Sequence, residues 1–508
     1  MLHKPDNRKN RGATSVMAVF FVTLFGILAI SFASLSDVNV QMARNHSHVA
    51  DAQAAAESGL AYARFLINDF VTNSAATSFQ NQVTDEDATD LFLNFADYVA
   101  YALDGSTALD GALVTNVTTT AEAGQNTAVF SVPPVAFTAD RNAQLTLQFK
   151  QYADDPSTLY VVSTGTCQDL ARSVRLTWQM EKDRRMLEFA VASKSPIEIT
   201  DNSTIGTGIY TDWNNPEITP PVSLAAISTV DGKVNTTLSP EDFDALGYAL
   251  EDVVLGTSDG IYYDQPDLAL PTADDFDTSS YASQVTVLSS GHTTNQKEFY
   301  PHAPGEYTTP LGFDSVELNR TVYENRVITD RRAVSGNALF RNCIFEGIFY
   351  IGTSDGIGTN NVRFENCVFN GPVITGVPPK FGPEEWKKNV LYFTGDCGFN
   401  NVAMEEATIL APNYNVDIGS ESANSTLTGL VLGGVVDVRG NANIDGTVVS
   451  MADPLELGDL ADHLDTNIGI SDNGGHTITI TPSPDRLLPI GIKTRILLLP
   501  DGESYVEL

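Results

Sequence analysis

The sequence predicts an α+β chain: a long transmembrane N-terminal helix with a small antiparallel sheet, followed by a predominantly β domain wound as a parallel β-helix. Three observations lead there. Ala13 to Ser36 is a run of 24 positions without an ionisable side chain, three strand-like segments between 145 and 180 are separated by tight-turn signals, and the second half repeats itself at 24 and 20 residues. With 508 residues, 42% hydrophobic and 18% charged, the chain is long enough for two or three domains and apolar enough to pack them.

Taking the elements in order, residues 1–12 carry Lys4, Arg8, Lys9 and Arg11 against Asp6 alone. As a helix the 24 uncharged residues that follow rise ~36 Å, more than the ~30 Å hydrocarbon core of a bilayer. The basic flank places the amino terminus in the cytoplasm and the remainder outside. A cleavable secretory signal is the alternative, with Ser31-Phe32-Ala33 as a small-x-small site, although its apolar stretch is longer than usual. From Val38 onward Met42, Val49, Ala52, Ala56, Leu60, Ala63, Leu66 and Phe70 recur at helical spacing, and no proline falls between Ala13 and Phe70. One helix over 13–70 is therefore expected, apolar all round at first and amphipathic afterwards.

The junction Arg11-Gly12-Ala13-Thr14-Ser15-Val16-Met17, the apolar span, Met42-Ala43-Arg44-Asn45 and Ala54-Ala55-Ala56-Glu57-Ser58-Gly59-Leu60 together resemble the N-terminal segment of PilX-type minor pilins, over roughly the first seventy residues. The resemblance implies that residues 1–12 are a leader, that a prepilin peptidase cuts after Gly12, and that Ala13 becomes N-methylated. It also implies that the mature helix leaves the inner membrane to pack with other pilin subunits in a filament. Met17 departs from the pattern, because major pilins usually place a glutamate at the fifth mature position. A buried carboxylate in lipid needs a partner, and methionine forms no such pair. The substitution fits a subunit placed at the filament tip; it equally fits simple variation among minor subunits.

Residues 71–183 read as a head beside that helix. Leu91-Phe92-Leu93-Asn94-Phe95-Ala96-Asp97-Tyr98-Val99 is a short helix-like patch. The strand runs 145–149, 159–165 and 173–180, joined through Asp154-Asp155-Pro156 and Gln168-Asp169-Leu170, form an antiparallel meander. Cys167, between two of them, reads as a small buried apolar side chain.

The solenoid is expected over 187–480, with a polar, proline-bearing insertion at about 235–330 and a strand tail over 481–508. Phe340-Arg341-Asn342-Cys343-Ile344-Phe345-Glu346-Gly347 returns 24 residues later as Phe364-Glu365-Asn366-Cys367-Val368-Phe369-Asn370-Gly371, and more loosely around Cys397 and Phe399. Val416-Asp417-Ile418 returns after 20 residues as Val436-Asp437-Val438, and Ile197-Glu198-Ile199 has the same form. Coil-stacking roles follow for Cys343 and Cys367, for Phe345 and Phe369, and for Asn342 and Asn366, whose amides suit corner hydrogen bonds from coil to coil. Metal binding or catalysis is the other use of such a cysteine column.

Chemistry of other kinds finds little footing. Twenty-nine basic against 64 acidic residues gives −35 and a pI near 4.3, which repels phosphate backbones, so nucleic acid is not a partner. Removing residues 1–12 leaves 25 − 63 = −38. The four cysteines lack zinc or redox-dithiol spacing and the seven histidines are scattered, so no metal or cofactor is assigned. Asp85-Glu86-Asp87 lacks the ligand spacing of a calcium loop, Gly352–Gly358 does not open a helix, and His476 stands alone at a strand start. Asp417 and Asp437, on adjacent coils ~4.8 Å apart, are a candidate glycosidase pair; acids alternating on a solvent face give the same pattern. The functional expectation is a non-enzymatic, minor pilin or pseudopilin-like subunit carrying a large acidic β-helix outward, with tip adhesion to surface glycans or cells as one use. A membrane-anchored carbohydrate-active β-helix enzyme and a static envelope protein are the alternatives.

Overall fold

The computed structural model describes residues 11–73, 76–104, 117–122, 125–138, 143–200, 202–244, 246–288, 292–297, 317–352, 361–377, 389–400, 407–419, 424–453, 465–470 and 477–508. The chain divides into two compact units, one built from 1–74, 85–180 and 497–508 and the other from 75–84 and 181–496.

In the first unit helix α1 runs unbroken over Arg11–Asn73. Its side chains are exposed from Ser15 to Ser47, and then Ala52, Ala55, Ala56, Leu60, Ala63, Leu66, Ile67 and Phe70 form a buried stripe at helical spacing. Helix α2 (Asp85–Leu103) extends well beyond the patch read at 91–99. Asp85, Glu86 and Asp87 occupy its first turn, where carboxylates oppose the positive end of the helix dipole, and Leu91, Phe92, Phe95 and Val99 face inward. Strands β1 (Thr118–Glu122), β2 (Gln125–Thr138), β3 (Ala143–Tyr152), β4 (Asp155–Cys167) and β5 (Leu170–Lys182) form an antiparallel sheet. Buried and open side chains alternate along β3, as a half-covered strand requires. The final strand, Thr494–Glu507, adds itself beside β5, with Thr177 N–H donating to Ser504 Oγ at 2.9 Å. Phe92, Phe95, Phe130 and Phe149 close the interior, the last two stacked at 4.7 Å.

The second unit is a parallel β-helix with three short strands per coil. Apart from His292–Lys297, which pairs antiparallel with Glu317–Glu324, the described strands pair in parallel with the equivalent strand of a neighbouring coil, so one inner row passes through Phe340, Phe364, Phe393, Ile418, Val438, Ile468, Ile199 and Leu224. A second inner row passes through Phe349, Val373, Ile409, Val431, Val448, Val191, Ile209 and Val234. These rows show that chain order and stacking order differ. Composition marks 235–330 as an interruption between neighbouring coils, but the coil of residues 191–211 stacks on 448–480 at one side and on 222–236 at the other. The chain enters the solenoid partway along, builds outward to one end, and then travels to the far end and winds back to its point of entry.

The insertion is what makes that journey, and it is a structural strap. On one outer face Tyr350, Ile374, Leu410, Leu432, Val449, Ala192 and Tyr210 fall in one register row, six steps of ~4.8 Å or about 29 Å. Leu270, Phe276 and Tyr281 pack on this row, with Leu488 and Ile492 beside them. Tyr210 OH donates to Pro266 O at one end, and Thr278 Oγ1 lies 3.4 Å from Tyr350 OH at the other. Thr278 lies twelve positions beyond Pro266, about 40 Å of extended chain, which suffices.

Candidate functional site

The surface that most needs a partner is the first half of α1. Val16, Phe20, Phe25, Ile27, Ile30 and Phe32 are all more than 60% exposed, and no Asp, Glu, Lys or Arg occurs between Ser15 and Ser36. Such a surface is far larger than the scattered apolar residues a water-exposed helix tolerates. Two hydroxyls within it are satisfied internally: Thr23 Oγ1 donates to Val19 O at 2.6 Å and Ser31 Oγ to Ile27 O at 2.8 Å. This backbone-bonded rod meets the rule that polar groups in hydrocarbon be paired within their own segment, and it is long and apolar enough to cross a membrane. Met17 is 65% exposed on the flank of the rod. Gly12 and Ala13 lie in the first turn of α1.

The same helix then becomes a packing element, and Ala54–Leu60 shows why its residues are small. A Cβ at Gly59 would overlap Ser163 Oγ of β4, and one at Gly165 of β4 would overlap Ala52 O and meet Ala56 N at 2.5 Å. The helix and the strand touch almost backbone to backbone, which only glycine and alanine permit. Farther along, Phe70 packs on Phe95 and Tyr98 at 5.1 and 5.4 Å, and Tyr98 OH donates to Asp69 Oδ2. Rod and head sheet thereby belong to one compact unit.

The coil-stacking residues fall as follows. Phe345, Phe369 and Phe399 stack face to face at 4.7 and 4.5 Å, and Cys343, Cys367 and Cys397 are buried beside them as free thiols. Their sulfurs lie 3.4–3.5 Å from the carbonyl oxygens of Arg341, Glu365 and Thr394. Burial pushes the Cys397 thiol up to about 11, and the Cys367 thiol is raised by its hydrogen bond with Cys343 and by burial, so these two stay protonated at neutral pH. Asn342 and Asn366 sit at left-handed corners, φ 51° and 52°. Asn342 Nδ2 donates to Asn325 Oδ1 at 3.1 Å, and Asp396 N–H donates to Asn366 Oδ1 at 3.0 Å. In the next coil the corner is taken by Gly395, φ 65°, because a Cβ there would overlap Asn366 Oδ1.

The candidate carboxylate pair is corrected by its surroundings. Asp417 and Asp437 do occupy paired positions on adjacent coils, yet they are only 4% and 3% exposed and do not face solvent. Arg439, 1% exposed, donates from Nε to Asp417 Oδ1 and from Nη2 to Asp437 Oδ2, both at 3.1 Å, and Asn467 Nδ2 donates to Asp437 Oδ1 at 3.0 Å. Burial raises both carboxyls while Arg439 draws them down. A glycosidase pair must reach a sugar and a water; this one is spent on a guanidinium, the arrangement of a structural ion triad whose disruption costs about 3–5 kcal/mol. Sequence reasoning missed Asn467, which register alone brings beside Asp437. Gly352 ends a solenoid strand, whereas the rest of the Gly352–Gly358 run and His476 fall outside the described residues.

No family model matches the chain, and no curated protein matches it. Among solved structures, the crystal structure of competence-associated pilin ComZ from Thermus thermophilus matches at 12% identity, over 91% of this chain and 98% of that one, with a TM-score of 0.22.

Proposed function

We propose that this chain is a minor pilin or pseudopilin-like structural subunit, held in the inner membrane by α1 before assembly and carrying the acidic β-helix outward as a display head. One observation carries the reading. A single unbroken helix offers an apolar surface that none of the described residues covers for about half its length and is packed on the head sheet over the other half. An anchor alone needs only the first half. A rod that moves from lipid into a bundle of like rods needs both, because the head must follow it rigidly. Other pilin subunits and a prepilin peptidase are the partners this implies, and adhesion to glycans or cells at a filament tip is the use that suits Met17. The enzymatic alternative loses its one candidate pair to the ion triad around Arg439.

The test is mass spectrometry of the native amino terminus. The expected result is an N-methylated Ala13, and Gly12→Val should leave the full-length chain in the membrane. A native chain that begins beyond Ala33, or a Gly12→Val variant with unchanged mobility and surface exposure, overturns the proposal.

A further inference from the structure

At the level where α1 first meets the sheet, three side chains of metal-ligating type, two from α1 and one from β4, converge. His48 follows the exposed stretch Ser15–Ser47 of α1 and is itself half-buried, Asp51 follows one helical turn later on the same face, and Cys167 closes β4. One ligand atom from each lies within 4.8 Å of the other two, and Cys167 Sγ is 3.4 Å from His48 Nδ1. Tetrahedral zinc with Zn–S of about 2.3 Å and Zn–N of about 2.0–2.1 Å sets its sulfur and nitrogen roughly 3.5 Å apart, so the pair already stands at a coordination edge. Cys167 is fully buried against Ala52 and Ala143, while His48 and Asp51 are half-buried and leave the site open toward solvent.

We infer that His48, Asp51 and Cys167 form a site for a borderline divalent transition metal, Zn²⁺ in the first instance, with water in the fourth position. The donor set decides the class. One sulfur, one imidazole nitrogen and one carboxylate oxygen suit zinc, cobalt or nickel, whereas calcium and magnesium require oxygen ligands throughout. Binding replaces the thiol proton: Cys167–SH and M²⁺ give the metal thiolate and a released H⁺, with His48 neutral and Asp51 ionised. No metal-ligand spacing marks the site in the sequence, because the cysteine and the histidine lie 119 residues apart and meet only when α1 docks on β4. The ion would clamp α1 to the end of β4 where the rod leaves the sheet, stabilising the docked helix by mass action.

The experiment uses the full chain in detergent micelles after chelator dialysis, titrated with Co²⁺. The expected result is a thiolate-to-cobalt charge-transfer band with tetrahedral d–d bands, saturating at about one equivalent and bleached by Zn²⁺. Cys167→Ser should abolish the charge-transfer band and Cys367→Ser should keep it. His48→Ala should weaken Zn²⁺ by more than the roughly hundredfold typical of losing an outer partner of a ligand. A wild-type chain with no charge-transfer band means a Cys167–His48 hydrogen bond only and overturns the inference, as does a band that survives Cys167→Ser. Zinc-edge X-ray absorption on the unmutated chain reads the same shell without relying on a variant's folding: one sulfur with nitrogen and oxygen supports the site, and a shell without sulfur overturns it.

Discussion

Two outward-facing apolar surfaces in this protein end differently. On the solenoid, the row from Tyr350 to Tyr210 is covered by the chain's own strap, with Leu270, Phe276 and Tyr281 lying on it. On α1, Val16 to Phe32 has no cover from the described residues. The first surface is therefore part of folding and the second is left over for association. Area burial has about the same worth in both places, ~25 cal/mol per Å², but the solenoid gains it within the molecule and the rod only from lipid or a neighbour.

Substitutions should separate the two surfaces cleanly, beginning with the strap. Phe276→Ala removes a ring from the covered row and should cost the second unit about 3–5 kcal/mol in urea or thermal unfolding. A cost under about 1 kcal/mol would mean the strap merely lies on the coils. Ile27→Arg acts on the other surface: membrane partition of the chain should weaken by about 3–4 kcal/mol, read by membrane fractionation, while the unfolding midpoint of the head stays put.

The strap also predicts a pH effect of intermediate size. Burial pushes Asp212 up to about 7 despite Lys194, and Asp267 of the strap and Asp453 add to the rise. A carboxyl raised in the folded state favours folding while protonated, and that contribution is lost as pH climbs through its folded value. Asp212→Asn should accordingly match the native protein near pH 4 and be the more stable of the two at pH 8, a divergence that thermal melts at both pH values would reveal. Equal melts throughout would show that Asp212 ionises without penalty. The smallest expected change is Phe25→Ala, within about 0.5 kcal/mol on folding because the ring is 64% exposed and packs on little but Phe21. A larger loss would reveal an intramolecular partner for the rod and remove the contrast.

Patterns local in sequence are legible in the residues themselves. The rod follows from an uncharged, proline-free run, since a helix satisfies its own backbone. The meander follows from short turns, and the Phe-x-Asn-Cys-x-Phe repeat at 24 residues carries the stacking of Phe345 on Phe369, because one coil of chain length returns each residue to the same face. Even Ile197-Glu198-Ile199 matches Val436-Asp437-Val438 in form across more than two hundred positions, and the two triplets do share a face of the solenoid.

What only the tertiary structure decided depends on which distant segments become neighbours. Period says that coils stack but not in what order, so the entry of 191–211 beside 448–480 and the strap's journey leave no mark on the repeat. Exposure is likewise a property of the assembled surface: Asp417 and Asp437 alternate with apolar residues as solvent-facing acids do, yet Arg439 and Asn467 enclose them. Cys167 has the setting of a small apolar filler, and only the docking of α1 brings His48 and Asp51 beside it. Sequence specifies the pitch and the face of each element through local sterics and hydrophobic period. Long-range contacts, whose cost is the entropy of closing a long loop and whose return is burial, assign those faces their partners.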